Sequence, residues 1–191
     1  MKKSILTITA IAIVMTFAAC SGSSSQTVSD NENSAVQSEA VQTSEQQDNA
    51  GGVSAFSEEN GILTYIDTKH SPFEGAGLKI TADKSAKTVN FVKTDLKGNE
   101  TVEYYTFDFN SNTVEQYYYV SMMGTGFYYT YDLNASEIIK IEDTDRNDST
   151  QSSKDNGRYD GANERLKADV AALESYFTEQ YGISISDMAN S

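Results

Sequence analysis

The sequence predicts an α+β domain of two layers. Its elements are an antiparallel β-meander of five to seven strands and one C-terminal helix packed across one face. Three observations carry this expectation. From Leu78 to Glu142 apolar and polar residues alternate between turn signals at hairpin spacing. Leu166, Val170, Leu173, Phe177 and Tyr181 fall on one helical stripe near the C-terminus. The turns, used to set strand register, place one set of apolar residues on a common face.

Taken in order, "GILTYID" is an early strand. "DKSAKT" pairs Ala82 with Val89 and Ile80 with Phe91. "DLKGN" reads as a three-residue loop with Gly98 left-handed, which pairs Val89 with Tyr105. "FNSNTV" pairs Phe109 with Val114 and Tyr105 with Tyr118. "MGTG" reads as a two-residue loop centred on Gly124-Thr125. That loop sets Met122 opposite Phe127, Val120 opposite Tyr129, Tyr118 opposite Tyr131 and, on the other face, Tyr117 opposite Asp132. "LNASE" pairs Tyr131 with Ile139 and Tyr129 with Ile141. No sequence repeat is evident. The helix is expected in "DGANERLKADVAALESYFTEQYG", with Asp160 as N-cap and Gly182 just past its end. The stretch 143–160 between sheet and helix is expected to be a mobile polar loop.

The first residues address the chain. Lys2 and Lys3 precede an apolar run from about Ile5 to Phe17, then Ala18, Ala19 and Cys20. This is the layout of a secretory signal peptide, and the run is short for a membrane span. "FAAC" resembles the lipobox of bacterial lipoproteins. The resemblance covers residues 1–20 and implies cleavage after Ala19 and a diacylglyceryl group on Cys20. Several acyl chains would anchor the protein firmly, at about 0.8 kcal/mol per buried methylene. The implied place is the outer side of a bacterial cytoplasmic membrane, with a Gram-positive surface favoured over a Gram-negative outer membrane. Cys20 is the single cysteine, so its lipidation would leave no thiol for disulfides or thiol catalysis.

Three segments are expected. Residues 1–19 are the signal peptide. Residues 20–54 are the lipidated cysteine and a disordered Ser/Gln-rich tether, of r.m.s. reach about 30 Å. Residues 55–185 are a single folded domain. The whole chain carries a formal charge of −14, and loss of Lys2 and Lys3 with the leader makes it −16. Such a surface repels nucleic-acid phosphates and anionic headgroups, which excludes both as partners of the folded part.

Candidate sites are few. The registers put Tyr104, Tyr117, Tyr119 and Tyr128 on the outer face of the sheet, with Val92, Val102, Ile138 and several threonines. Tyrosine offers a flat apolar ring and a hydroxyl, suited to a peptide or a glycan; the plainer reading is sheet propensity or coverage by another segment. Asp108 is expected opposite Glu115, with Asp132 nearby, as a carboxylate cluster for a cation or a basic peptide group. The plainer reading there is a solvated edge. In "DTDRND", Asp143, Asp145 and Asn147 match three calcium-loop positions, but Asp148 stands where Gly is needed and Lys154 where a bidentate Glu is needed. His70 is the one histidine, with no nucleophile elbow to serve it. No cofactor motif is present. The expected activity is therefore binding, of an envelope protein, a peptide or a glycan. Carboxylate- or metal-dependent catalysis and a hydrolase- or protease-inhibitor-like module are the alternatives.

Overall fold

The computed structural model describes residues 52–191. The expected signal peptide, Cys20 and nearly all of the tether lie outside the described residues. Eight strands form one antiparallel sheet in sequence order: β1 (Ser57–Glu59), β2 (Ile62–Asp67), β3 (Gly77–Asp83), β4 (Thr88–Thr94), β5 (Glu100–Asp108), β6 (Thr113–Val120), β7 (Thr125–Asp132) and β8 (Glu137–Glu142). Three helices follow: α1 (Thr150–Asp155), α2 (Tyr159–Tyr181) and α3 (Ile185–Asn190). The fold is thus α+β as expected, with eight strands rather than five to seven. The added strand β1 has three exposed residues and so no hydrophobic alternation to announce it.

Leu78, Ile80, Val89, Phe91, Tyr105, Phe107, Val114 and Tyr129 point to the face covered by Leu166, Val170, Leu173 and Phe177 of α2. Gly182 ends α2 in the left-handed conformation, and its N–H bonds the Thr178 carbonyl. The N-cap position falls at Arg158, which places Asp160 in the first turn of α2 rather than before it. α3 adds Ile185, Met188 and Ala189 to the core, so the packed chain runs beyond residue 185. Stretch 143–160 is not a bare loop, since it holds α1. Among the described residues no helix is long and apolar enough to cross a membrane.

One turn is used three times. Asp83, Asp108 and Asp132 close β3, β5 and β7, and the carboxylate of each accepts the N–H groups two and three residues on. The fourth residue after each, Lys87, Asn112 or Ser136, is left-handed. The turns also bond sideways, from Phe109 N–H to Lys87 O and from Leu133 N–H to Asn112 O, each at 3.1 Å. The recurrence is also visible in the residues, DKSAKTV, DFNSNTV and DLNASEI, which corrects the expectation of no repeat.

Several registers differ from expectation. Ala82–Val89 and Ile80–Phe91 hold. Near its loop the β4–β5 hairpin pairs Thr94 with Glu100, as a three-residue loop requires, and Gly98 is left-handed. A bulge beyond Thr94 then shifts the ladder, so Val89 meets Phe107 and Tyr105 meets Phe91. In β5–β6, Phe107 pairs with Val114 and Tyr105 with Gln116. In β6–β7 the loop is Ser121–Gly124, which sets Tyr118 opposite Phe127, Gln116 opposite Tyr129 and Tyr117 opposite Tyr128. Met122 therefore leaves the expected core and is 98% exposed. In β7–β8, Tyr129 meets Ile141 as expected, but a bulge gives Tyr131 to Ile138. Ile138 is buried and Ile139 exposed, which corrects the placing of Ile138 on the outer face.

The far edge of the sheet is closed. Thr150 Oγ1 accepts the Ile141 N–H, Ser149 N–H bonds the Ile141 carbonyl, Asn163 Oδ1 accepts the Ile138 N–H, and Tyr159 donates to the Ile138 carbonyl. Strand addition at β8 is thereby blocked at these two residues.

Candidate functional site

The face opposite the helices is built of cross-strand rows. One row runs Thr64, Thr81, Asn90, Thr106, Glu115, Thr130, Lys140. The next runs Ile66, Lys79, Val92, Tyr104, Tyr117, Tyr128, Glu142. Three tyrosines on three adjacent strands thus stand side by side, with ring centres 6.1 Å apart for Tyr104–Tyr117 and 4.8 Å for Tyr117–Tyr128. Such ring pairs contribute about 0.5–1.5 kcal/mol each beyond area burial.

The glycine at position 126 makes room for this row. A Cβ there would overlap the Tyr117 ring, so the ring lies across β7 at Gly126. The "GTG" in the sequence reads as turn punctuation, yet its second glycine serves the tyrosine row.

Arg146 reaches the row from the turn after β8. Its Cζ lies 3.4 Å from the centre of the Tyr128 ring. Its Nη1 donates to Glu115 Oε2 at 2.8 Å, and Nη2 approaches Oε1 at 3.4 Å. Nη1 also lies 3.4 Å from Glu142 Oε2, while Lys140 holds Glu142 Oε1 at 2.7 Å. On the other side Tyr104 donates to Glu115 Oε1 at 2.7 Å. Burial would raise the Glu115 carboxyl, but the hydrogen bonds from Arg146 and Tyr104 outweigh it and hold it below the usual carboxylate range. Burial and the Glu115 carboxylate push the Tyr104 phenol up. The turn itself is closed without the guanidinium: Asp143 Oδ1 accepts from Asp145 N–H and Asn147 N–H, each at 2.9 Å. Asp143, Asp145 and Asn147 therefore form a hydrogen-bonded turn.

Beside Glu115 the face is hollowed into a groove of about 400 Å³, lined by Asn90, Tyr104, Thr106, Asp108, Thr113, Glu115 and Thr130. Tyr119 stands apart from the row. It is exposed and lines a separate groove with Lys93, Thr94, Val102 and Glu103, and its N–H bonds Glu103 Oε1 at 3.2 Å.

The expected carboxylate cluster is rearranged. Asp108 faces Thr113, not Glu115, and Asp132 faces Thr113 from the other side. Asp108 and Asp132 are occupied as turn caps, and Glu115 by Arg146 and Tyr104. Among the described residues no group of three or more His, Cys, Asp or Glu side chains is arranged to hold a metal ion. His70 is half exposed, with Nδ1 3.4 Å from Asp67 Oδ1.

Sequence reasoning found Tyr104, Tyr117, Tyr128 and Glu115 and placed them on one face. It missed Arg146 and Gly126. Arg146 is 31 residues from Glu115, and the turn signal in "DTDRND" says nothing of where the side chain lands. Comparison with protein-family models, curated proteins and solved structures found no match.

Proposed function

We propose that this chain is an acidic binding domain, held outside a bacterial cytoplasmic membrane by a lipid on Cys20, whose outer sheet face docks a polypeptide of the cell envelope. The observation that carries the reading is the arrangement of layers. The helices pack on one face of the sheet, and the other presents a tyrosine row, a threonine-rich row and a groove. A structural sheet face needs no such groove, and a pure spacer needs no aligned tyrosines. Tyrosine supplies broad contact area at low entropic cost, and the threonines and Asn90 supply hydrogen bonds to a peptide backbone. The lipid anchor is supported by "FAAC" and the leader before it, and the acidic surface favours a partner with basic groups.

The test is site-specific photo-crosslinking in the envelope, with the crosslinker at Thr106 or Thr130 and a control at Lys167 on α2. Crosslinks to one polypeptide from the outer-face positions alone are the expected result. Equal yields from the control position, or binding only to glycans on an array, would overturn the proposed partner class.

A further inference from the structure

The tyrosine row contains a finished recognition site whose occupant belongs to this chain. Its walls come from the sheet: the Tyr128 ring from β7, the Glu115 carboxylate from β6, and Tyr104 from β5, which fixes that carboxylate by a 2.7 Å hydrogen bond. Glu142 of β8 adds a second carboxylate 3.4 Å from the occupant. The occupant, the Arg146 guanidinium, comes from a turn outside the sheet, and its side chain is 46% exposed.

We propose that this is a guanidinium-binding site, filled in cis by Arg146 and taken over by an arginine of the polypeptide partner. The inference rests on the docking role of the outer face and names the chemistry that face selects.

The geometry fits a guanidinium better than an ammonium. A flat cation lies on the Tyr128 ring while two of its nitrogens meet the two oxygens of Glu115. A lysine ammonium can meet a ring and a carboxylate together, as Lys93 does with Phe73 and Glu103, but it cannot span both Glu115 oxygens as a planar fork does. Departure of Arg146 leaves the site standing, because Glu115 keeps Tyr104, Glu142 keeps Lys140, and Tyr128 keeps Tyr117 as a ring neighbour. The turn also stands, since its closing bonds run through Asp143 and Asn147 rather than through the guanidinium. The groove beside Glu115 offers Asn90, Thr106 and Thr130 to residues flanking the incoming arginine. A chain of net charge −14 draws a basic segment toward it. The cis arginine then sets a threshold, because a competitor must first find the site open and its apparent affinity falls by the open fraction.

The experiment titrates the mature chain with acetyl-Gly-Arg-Gly-amide, following the ring signals of Tyr104 and Tyr128 by NMR. Arg146→Ala is expected to bind this peptide about tenfold more tightly than the wild type. The matching lysine peptide is expected to gain less, and Arg146→Ala with Glu115→Gln is expected to lose the gain. Arg146→Gln, read the same way, keeps the test decisive should the alanine variant fold poorly. Equal arginine affinity in the wild type and both Arg146 variants would overturn the proposal, and so would equal gains for arginine and lysine. If outer-face crosslinks to a polypeptide persist beside such a failure, the docking reading stands and only the cis-occupied site falls. Loss of both results removes both.

Discussion

The Tyr176 hydroxyl of α2 donates to Asp67 Oδ2 of β2 at 2.8 Å, across 109 residues of sequence. Asp67 is buried, 3% exposed, and its other oxygen accepts the N–H groups of Lys69 and His70 at 2.9 Å. Tyr181 lies 2.8 Å from Tyr176, oxygen to oxygen, so two phenols and one carboxylate tie the end of the helix to the sheet. Asp67→Ala leaves these donors without their acceptor. Its expected cost is about 2–4 kcal/mol, and Tyr176→Phe should cost about 1–3 kcal/mol. Urea unfolding followed by circular dichroism measures both. A loss under half a kcal/mol for each would show that water replaces the network.

Acid should act through the same carboxylate and through Glu115. Burial pushes Asp67 upward, but the His70 and Lys69 N–H groups and the Tyr176 hydroxyl outweigh it, and the folded-state pKa is lowered. Glu115 is lowered by Arg146 and Tyr104 against a similar burial effect. A lowered folded pKa means that the stability is present above the unfolded value and is lost as pH falls through the folded one. Unfolding free energy should therefore be insensitive to these groups above about pH 5 and decline below about pH 4. An Asp67→Asn, Glu115→Gln variant should be less stable at neutral pH and show a shallower acid decline. Parallel curves for the variant and the wild type would refute the assignment.

Gly77 starts β3 where the chain turns back against the end of β2. A Cβ there would stand 2.7 Å from the Asp67 carbonyl oxygen, 2.6 Å from Thr94 Oγ1 and 3.1 Å from Thr68 Cα. Two of these neighbours are backbone and cannot swing aside. Gly77→Ala should cost about 1–3 kcal/mol by overpacking, although its φ lies outside the left-handed region. Gly98→Ala is the useful comparison, because there the strain comes from a left-handed φ of 86°. The two variants should respond differently to Thr94→Ser and Thr94→Ala. Only the Gly77 defect has Thr94 in its path, so equal behaviour would show that Thr94 Oγ1 takes no part in the clash.

The sequence carries face assignment further than register. Phe127 was expected opposite Met122 and lies opposite Tyr118, an offset of four residues. An even offset keeps every side chain on its own face, so Tyr117 and Tyr128 remain outside and Tyr118 and Tyr129 inside. What changes is the neighbour: Tyr117 gains Tyr128 in place of Asp132, and the tyrosine row results. Odd shifts are costlier to a sequence reading. The bulge between Thr130 and Tyr131 exchanges the faces of Ile138 and Ile139, which are adjacent, identical and equally apolar. Nothing local distinguishes them. Arg146 was invisible for another reason, since its contacts depend on where a turn is carried after eight strands have been placed. The buried Gln116 shares the inner face with Tyr118, and its side-chain amide sits between Tyr105 and Asp169 under the helix.

The tyrosines singled out as one cluster should separate under mutation. Tyr119 is exposed, makes its hydrogen bond through the backbone, and lies in a different groove from the row. Tyr119→Ala should stay within about 0.5 kcal/mol of the wild type. Tyr128 carries Arg146 on its ring and touches Tyr117 at 4.8 Å. Tyr128→Ala removes an exposed cation–π contact and a ring pair, together about 1–2 kcal/mol. The Arg146–Glu115 ion pair, with side chains 46% and 33% exposed, adds no more than about 0.5–1 kcal/mol by itself. A double-mutant cycle of Tyr128→Ala with Arg146→Ala should then show coupling of about 0.5–1 kcal/mol. The cycle of Tyr119→Ala with Arg146→Ala should show none. Coupling in the second cycle, or its absence in the first, would mean that the guanidinium does not rest on Tyr128 in solution.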